Sequence, residues 1–304
     1  MSRRFLILGA GYSGQAFAQA KPRHLSMPIL GTSRNAEKFS RLRQAGIEPL
    51  LWEGSAPSAA LEQAVLATTH LVVSAAPSDA GDPALNALGP LLAAAPLRWV
   101  GYLSTIGVYG GHDGAWVDEA AELRPTSRRA KNRVAAEAGW MEWGARTGVP
   151  VATLRLAGIY GPGRNAFVSL ERGAAKRLVK PGQVFNRIHV ADIAGALWHL
   201  GDAGLGGAFN VSDDEPAPPQ DVVAFAAGLM GVAPPPEIPY DEAVLTPMQR
   251  SFYGENKRVS NAKLKAAGYR FRFPDYRTAL AAMWREGDWR GEGERDGAGP
   301  ITSG

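Results

Sequence analysis

Cysteine is absent from the 304 residues, which excludes disulfides, thiolate metal sites and a cysteine nucleophile. The five histidines are scattered with no ligand spacing, so no metal site is predicted. Long apolar runs are also missing. The best stretch, 85–103, is broken by Pro90, Pro96 and Arg98 and is no membrane span. The opening MSRRFLILGAGYSG imitates a signal peptide, but its apolar run is short and passes directly into glycines with no small-residue cleavage site. The expectation is a soluble, cytoplasmic protein without a membrane partner. Nor does charge of one sign dominate: 33 Lys and Arg against 29 Asp and Glu leave a net +4, with acids mixed among the bases. That balance suits a small anionic ligand and gives no footprint for nucleic acid.

What is present is alternation. Short apolar runs at 4–8, 29–32, 48–52, 70–74, 98–104 and 151–156 read as strands. Ala-rich helices are expected between them at 12–20, 35–45, 58–66, 83–94 and 127–146. This predicts an α/β fold of Rossmann type, a doubly wound parallel sheet covered on both faces. After Tyr160 the regularity fades. GPGRNAF is a loop, a helix is expected at 167–178, and FNRIHVADIAGALWHL is a strand entering a helix. GGAFNVSD is a further strand, with a helix following at 219–230. The predicted organisation has a dinucleotide-binding domain over 1–161 and 186–211. A smaller C-terminal substrate-side subdomain takes 162–185 and 212–286, and a Gly-rich disordered tail takes 287–304.

GAGYSG, residues 9–14, follows the first strand and opens a helix, the setting in which this pattern binds a dinucleotide. Gly9 permits the tight turn, Gly11 lets backbone approach a pyrophosphate, and Gly14 lets helix and strand pack closely. Tyr12 and Ser13 supply amides at the helix N-terminus, where an anion is held. The second strand ends in GTSR. NAD sites place a carboxylate there for the ribose hydroxyls; Thr32, Ser33 and Arg34 instead offer hydroxyls and a guanidinium suited to the 2′-phosphate of NADP, and Glu37 comes a turn too late. NADP(H) is the preferred cofactor and NAD(H) the alternative. Glu53 either accepts from the adenine amino group or is a plain surface carboxylate. Ser74, Ala75, Ala76 and Pro77 end the fourth strand with small residues where the cofactor passes, and Ala157 is placed beside it after 151–156.

GYLSTIGVYGG at 101–111, LRLAGIYGPGR at 154–164 and FNRIHVADIA at 185–194 stand in that order behind the glycine loop. Together they resemble the extended short-chain dehydrogenase/reductases, and among them the nucleotide-sugar epimerase/dehydratase group. The resemblance runs from residue 4 to 285. It implies that Thr105, with Ser104 as the fallback, polarises the substrate oxygen. It also implies a tyrosine on the next helix and a lysine four residues after it. Here that helix reads TSRRAKNRVAAE. Alignment on Glu137 puts Arg133 at the lysine and Arg129 at the tyrosine; alignment on Lys131 puts Ser127 at the tyrosine. The tyrosine is missing in both registers, so the chain resembles the atypical branch that keeps the fold and cofactor site without the usual tetrad. Leu8, in place of the first glycine of the short-chain spacing, is a second departure.

An arginine is no base near neutral pH, but it holds phosphates, hydroxyls and carboxylates in bidentate fashion. Arg133 is therefore assigned to cofactor ribose or phosphate and Arg129 to an anionic substrate group; the alternative is that both lie on a solvated face. Two phenols compete for the missing proton-donor role, Tyr109 ahead of Tyr160, each expected to have its pKa lowered by a neighbouring cation. Arg164 and Arg187 are further anion contacts on the substrate side, His189 is structural, and Asp192 is the expected cap of its helix. Two functions follow. One is an NADP-dependent oxidoreductase or epimerase/dehydratase-like enzyme acting on a small polar, anionic or nucleotide-linked substrate. The other is a non-catalytic NAD(P)-binding redox sensor or scaffold. An isologous homodimer through the helices at 83–94 and 127–146 fits either one.

Overall fold

Four apolar residues in succession are stable in a strand only where both faces of the sheet are covered. FLIL does this as β1 (Phe5–Leu8), with all four side chains buried. The computed structural model describes residues 3–246, 250 and 252–291. Next in the chain come β2 (Ile29–Ser33), β3 (Ile47–Leu51), β4 (His70–Val73), β5 (Trp99–Thr105) and the short β6 (Trp116–Val117). Beyond these lie β7 (Val151–Leu156), β8 (Gly158–Tyr160), β9 (Arg177–Val179), β10 (Arg187–His189), β11 (Gly207–Val211), β12 (Glu237–Pro239) and β13 (Arg258–Val259). Seven strands form one parallel sheet in the order β11-β7-β5-β4-β1-β2-β3. The chain runs outward in both directions from β1, so the crevice beyond the C-terminal ends of β1 and β4 is the switch point where such sheets bind ligands. The remaining strands pair as β10 with β8, β12 with β9 and β13 with β6.

Helices cover both faces. On one side, α1 (Tyr12–Gln19) lies beside the long helix Val190–Ala203, where Trp198 stacks on Phe17 at 4.4 Å and donates to the Phe17 carbonyl at 3.0 Å. On the other side, Leu61, Leu88, Leu92, Trp140 and Trp143 close over Leu6, Leu8, Val100 and Tyr102. They come from the helices Ala59–Ala67, Pro83–Ala94 and Arg128–Thr147. The second of these starts and ends within its expected limits because Asp82 accepts from the Ala84 and Leu85 amides and Pro83 opens the first turn. The third is capped by Ser127 and closed by left-handed Gly148. A separate apolar cluster joins Phe167, Ala226, Tyr276, Leu280, Met283 and Trp289.

Several expectations are corrected. The helix at 35–45 opens as a 3₁₀ turn, Ala36–Lys38, because the Asn35 side chain accepts from the Glu37 amide. The helix expected at 167–178 stops at Glu171, and β9 follows. Asp192 does not cap its helix: His189 Nδ1 accepts from the Ala191 amide in that role. The buried Asp192 accepts instead from the Tyr269 hydroxyl and the Arg272 and Phe273 amides, fastening the C-terminal segment to the sheet domain. The tail does not begin at 287. Trp289 is buried against Phe167 and Arg290 pairs with Glu171 at 2.7 Å; residues 292–304 lie outside the described residues. Among the described residues, no helix is long and apolar enough to cross a membrane.

Candidate functional site

The chain leaves β1 through Gly9, whose φ of +87° suits glycine alone and whose Cβ would stand 2.9 Å from the Ala75 nitrogen. The Gly9 amide donates to Thr32 Oγ1 at 2.8 Å and the Ala10 amide to the Thr32 carbonyl at 2.8 Å, pinning the turn to β2. Gly14 faces the strand, where a Cβ would lie 3.1 Å from Ile7 Cγ2. Gly11 differs from both, since a Cβ there would meet nothing within 4 Å. No side chain caps α1 behind Gly11, which leaves its first-turn amides for an anion.

Cations gather at this end of the sheet. Arg164 lies over the Tyr12 ring at 6.0 Å. Burial raises the Tyr12 pKa to about 12 against the opposing pull of Arg164 and Arg41. The Tyr12 hydroxyl donates to the Pro162 carbonyl at 2.9 Å, tying the glycine loop to the loop after β8. Arg34 is exposed and has no side-chain partner among the described residues, whereas Glu37 is engaged by the Asn35 amide group at 3.0 Å. Ser33 bonds with the Asn35 backbone. Ser13 and Ala157 are buried; Ser74, Ala75 and Pro77 are half-buried; Ala76 and Glu53 are exposed.

β5 delivers Thr105 to the C-terminal edge, half-buried. Its Oγ1 accepts from the Gly107 amide at 3.1 Å, so the hydroxyl proton is left to donate. Ser104 points the other way, buried and donating to Glu137 Oε1 at 2.5 Å, which removes it from the substrate. Tyr109 is withdrawn too. At 0% exposure its hydroxyl donates to Asn210 Oδ1 at 2.7 Å and accepts from Arg155 Nη1 at 2.9 Å. Burial pushes its pKa up and outweighs the arginine, so the expected activation does not occur.

The cations of SRRAKNR separate. Arg128 pairs with Asp79 in the loop after β4, and Asn132 holds the same carboxylate at 3.0 Å. Arg133 turns inward, its Nη1 donating to the Leu103 carbonyl at 2.6 Å and the Tyr102 hydroxyl at 3.0 Å. It braces β5 where a ribose or phosphate contact was expected. Lys131 and Arg129 are exposed; Arg129 stands in the first turn of the helix, beyond the Ser127 cap.

The pair Glu137 and Arg155 was missed as a unit. Arg155 of β7 meets Glu137 at 2.8 Å, both side chains under a tenth exposed. Ser104, Tyr109 and Asn210 complete a buried polar network. Its one sequence signal was an arginine inside the strand run VATLRL, because a charge in a covered strand demands a partner.

At β8 and β10, Arg187 Nη1 donates to the Phe185 and Ala217 carbonyls, and burial lowers its pKa. It is a strut, not the open anion contact expected. The Tyr160 hydroxyl is buried without a hydrogen-bond partner among the described residues, and burial, with Asp213 adding to it, pushes its pKa up. His189 is held neutral, its pKa pushed down to about 4 by burial. Burial raises Asp213 to about 8, with Arg187 opposing.

No protein-family model and no curated protein matches the chain. Solved structures do. A functionally unknown conserved protein from Silicibacter pomeroyi is 47% identical with a TM-score of 0.85, covering 94% of this chain and 100% of that one. A candidate NAD-dependent epimerase/dehydratase from Methylobacillus flagellatus is 27% identical with a TM-score of 0.70, over 94% and 99% of the two chains. The UDP-glucuronic acid 4-epimerase of Bacillus cereus, in complex with NAD, shares the fold at 14% identity with a TM-score of 0.75, over 94% and 96%.

Proposed function

We propose that the chain is an NADP(H)-dependent oxidoreductase or epimerase/dehydratase-like enzyme of the extended short-chain dehydrogenase/reductase kind, a reading supported by its likeness to the candidate NAD-dependent epimerase/dehydratase. Its substrate class is a small polar molecule, anionic or nucleotide-linked. The observation that carries the reading is the glycine loop: no room for a side chain at Gly9, open space at Gly11, an uncapped helix start, and Arg164 beside it. These features support a pyrophosphate at α1. The unengaged Arg34, with Glu37 occupied by Asn35, supports a 2′-phosphate; NAD(H) is the weaker alternative.

The nicotinamide, when bound, supplies or takes a hydride. The chain's own residues position the other partner. Thr105 donates its hydroxyl proton to the substrate oxygen, with one of its two lone pairs held by the Gly107 amide. Arg129 meets an anionic substrate group, and 162–185 with 212–286 supply the substrate side. We place the protein in the cytoplasm as an isologous dimer. One observation favours the second reading, a non-catalytic redox sensor or scaffold: neither Tyr109 nor Tyr160 has a phenol tuned for proton transfer.

The two readings separate in one experiment. NADPH oxidation, NADP reduction and, by NMR, epimerised or dehydrated products are followed over a panel of nucleotide-linked sugars and small oxo acids, in the wild type and in Thr105→Ala. An enzyme turns over at least one compound, and Thr105→Ala lowers its kcat by about a hundredfold with NADPH affinity unchanged. Binding of NADPH without turnover of any compound gives the sensor.

A further inference from the structure

The turn after β8 is held from two sides. Gly161 and Arg164 exchange backbone hydrogen bonds at 3.0 and 2.9 Å, which closes 161–164 into a compact turn. From one side the Tyr12 hydroxyl donates to the Pro162 carbonyl at 2.9 Å. Burial raises the Tyr12 pKa to about 12, so the phenol stays protonated and keeps donating. From the other side the Trp289 carbonyl accepts from the Gly163 amide at 2.8 Å and from Asn165 Nδ2 at 2.7 Å. The approach of Tyr12 requires a glycine at 161: a Cβ there would stand 2.6 Å from the Tyr12 hydroxyl oxygen and 2.8 Å from Val190 Cγ1.

The cargo of this turn is Arg164. Its side chain is exposed, lies over the Tyr12 ring at 6.0 Å, and makes no hydrogen bond or ion pair among the described residues. Tyr12 is itself the first residue of α1, so the ring that Arg164 covers belongs to the uncapped first turn. A guanidinium held there adds its charge to that of the free amides. An arginine on a loose loop would lose more freedom in reaching the same anion than one on a turn already fastened. We propose that Tyr12 is a positioning residue, whose hydroxyl clasps the turn 161–164 to the glycine loop and so sets Arg164 against the pyrophosphate of the dinucleotide. The proposal rests on the cofactor reading above, and it moves Arg164 from the substrate side to the cofactor.

Two measurements on the full chain test it. Hydrogen exchange of the cofactor-free protein needs no ligand: Tyr12→Phe keeps the ring, loses the hydroxyl and should speed amide exchange in 161–165 by about tenfold, with β1 exchanging as before. Calorimetric titrations then follow NADPH and NADH. Arg164→Ala should weaken both by the same factor, about tenfold, because both carry the pyrophosphate. Tyr12→Phe should weaken both by about threefold, and the double variant should bind no worse than Arg164→Ala alone. A hydroxyl that only supports the fold would lower the melting temperature and leave both affinities unchanged, or would add its loss to that of Arg164→Ala. Either result overturns the proposal, as do unchanged exchange in Tyr12→Phe and unchanged affinities in Arg164→Ala. A wild type that binds neither dinucleotide removes the cofactor reading, and the Arg164 assignment falls with it.

Discussion

Gly11→Val is expected to abolish NADPH binding while the protein still unfolds cooperatively near the wild-type temperature. A Cβ at Gly11 meets nothing within 4 Å among the described residues, and the backbone there, at φ −80°, is not in the region that demands glycine. A valine at a helix N-cap costs about 1 kcal/mol relative to the best caps, and glycine already forgoes a few tenths of this, so the exchange itself costs under about 1 kcal/mol. The same open space is where backbone must approach the pyrophosphate, so the isopropyl group fills it. Saturating NADPH at about a hundred times Kd stabilises a binding protein by about 2.7 kcal/mol. The variant should gain none of this. Gly9 would be a poor choice for the experiment, since φ +87° and the Ala75 backbone make any substitution there a folding defect as well. A Gly11→Val protein that NADPH still stabilises would remove the pyrophosphate from this loop.

Glu137→Ala is expected to cost about 3–5 kcal/mol of folding stability, the largest loss foreseen from a single exchange in this chain. Arg155 would remain buried with its charge uncompensated, and Ser104 would lose its acceptor. Urea unfolding reads the loss as a lower midpoint. Glu137→Gln keeps an acceptor for Ser104 and for one Arg155 donor, so it should lose less. A loss under about 1 kcal/mol for Glu137→Ala would mean that water reaches Arg155 and that the network is not sealed.

How much of this was legible before any coordinates depends on the range of the interaction. The first-half strands and the helix at 83–94 are governed by neighbours, such as Asp82 and Pro83, and were readable within a residue or two. The glycine loop was readable for the same reason: its signal is six residues long. Thr105 and Tyr109 stand four residues apart in one motif, yet the 3₁₀ turn between them leaves the first at the edge and carries the second into the interior. Arg129 and Arg133 are also four apart, and here depth decides, since the second lies over β5 and finds Leu103 while the first stands free beyond the strand end. Glu137 and Arg155 are separated by 18 residues, and no local pattern announces which charge meets which. Pairing across the sheet also explains Asp192, whose partners lie about 80 positions away in the C-terminal segment. Buried pKa values follow the same rule: the cation beside Tyr109 was inferable, but the desolvation that overrides it was not.

The central claim is that the glycine-loop crevice holds NADP(H), selected by Arg34. Calorimetric titration of NADPH and NADH into the wild type and Arg34→Ala tests it most directly. A charged hydrogen-bonded contact with the 2′-phosphate contributes about 1.5–3 kcal/mol, so NADPH should bind about tenfold or more tightly than NADH in the wild type. Arg34→Ala should bring the two affinities together by weakening NADPH alone. Equal affinities in the wild type, or a preference that survives in Arg34→Ala, would contradict the account.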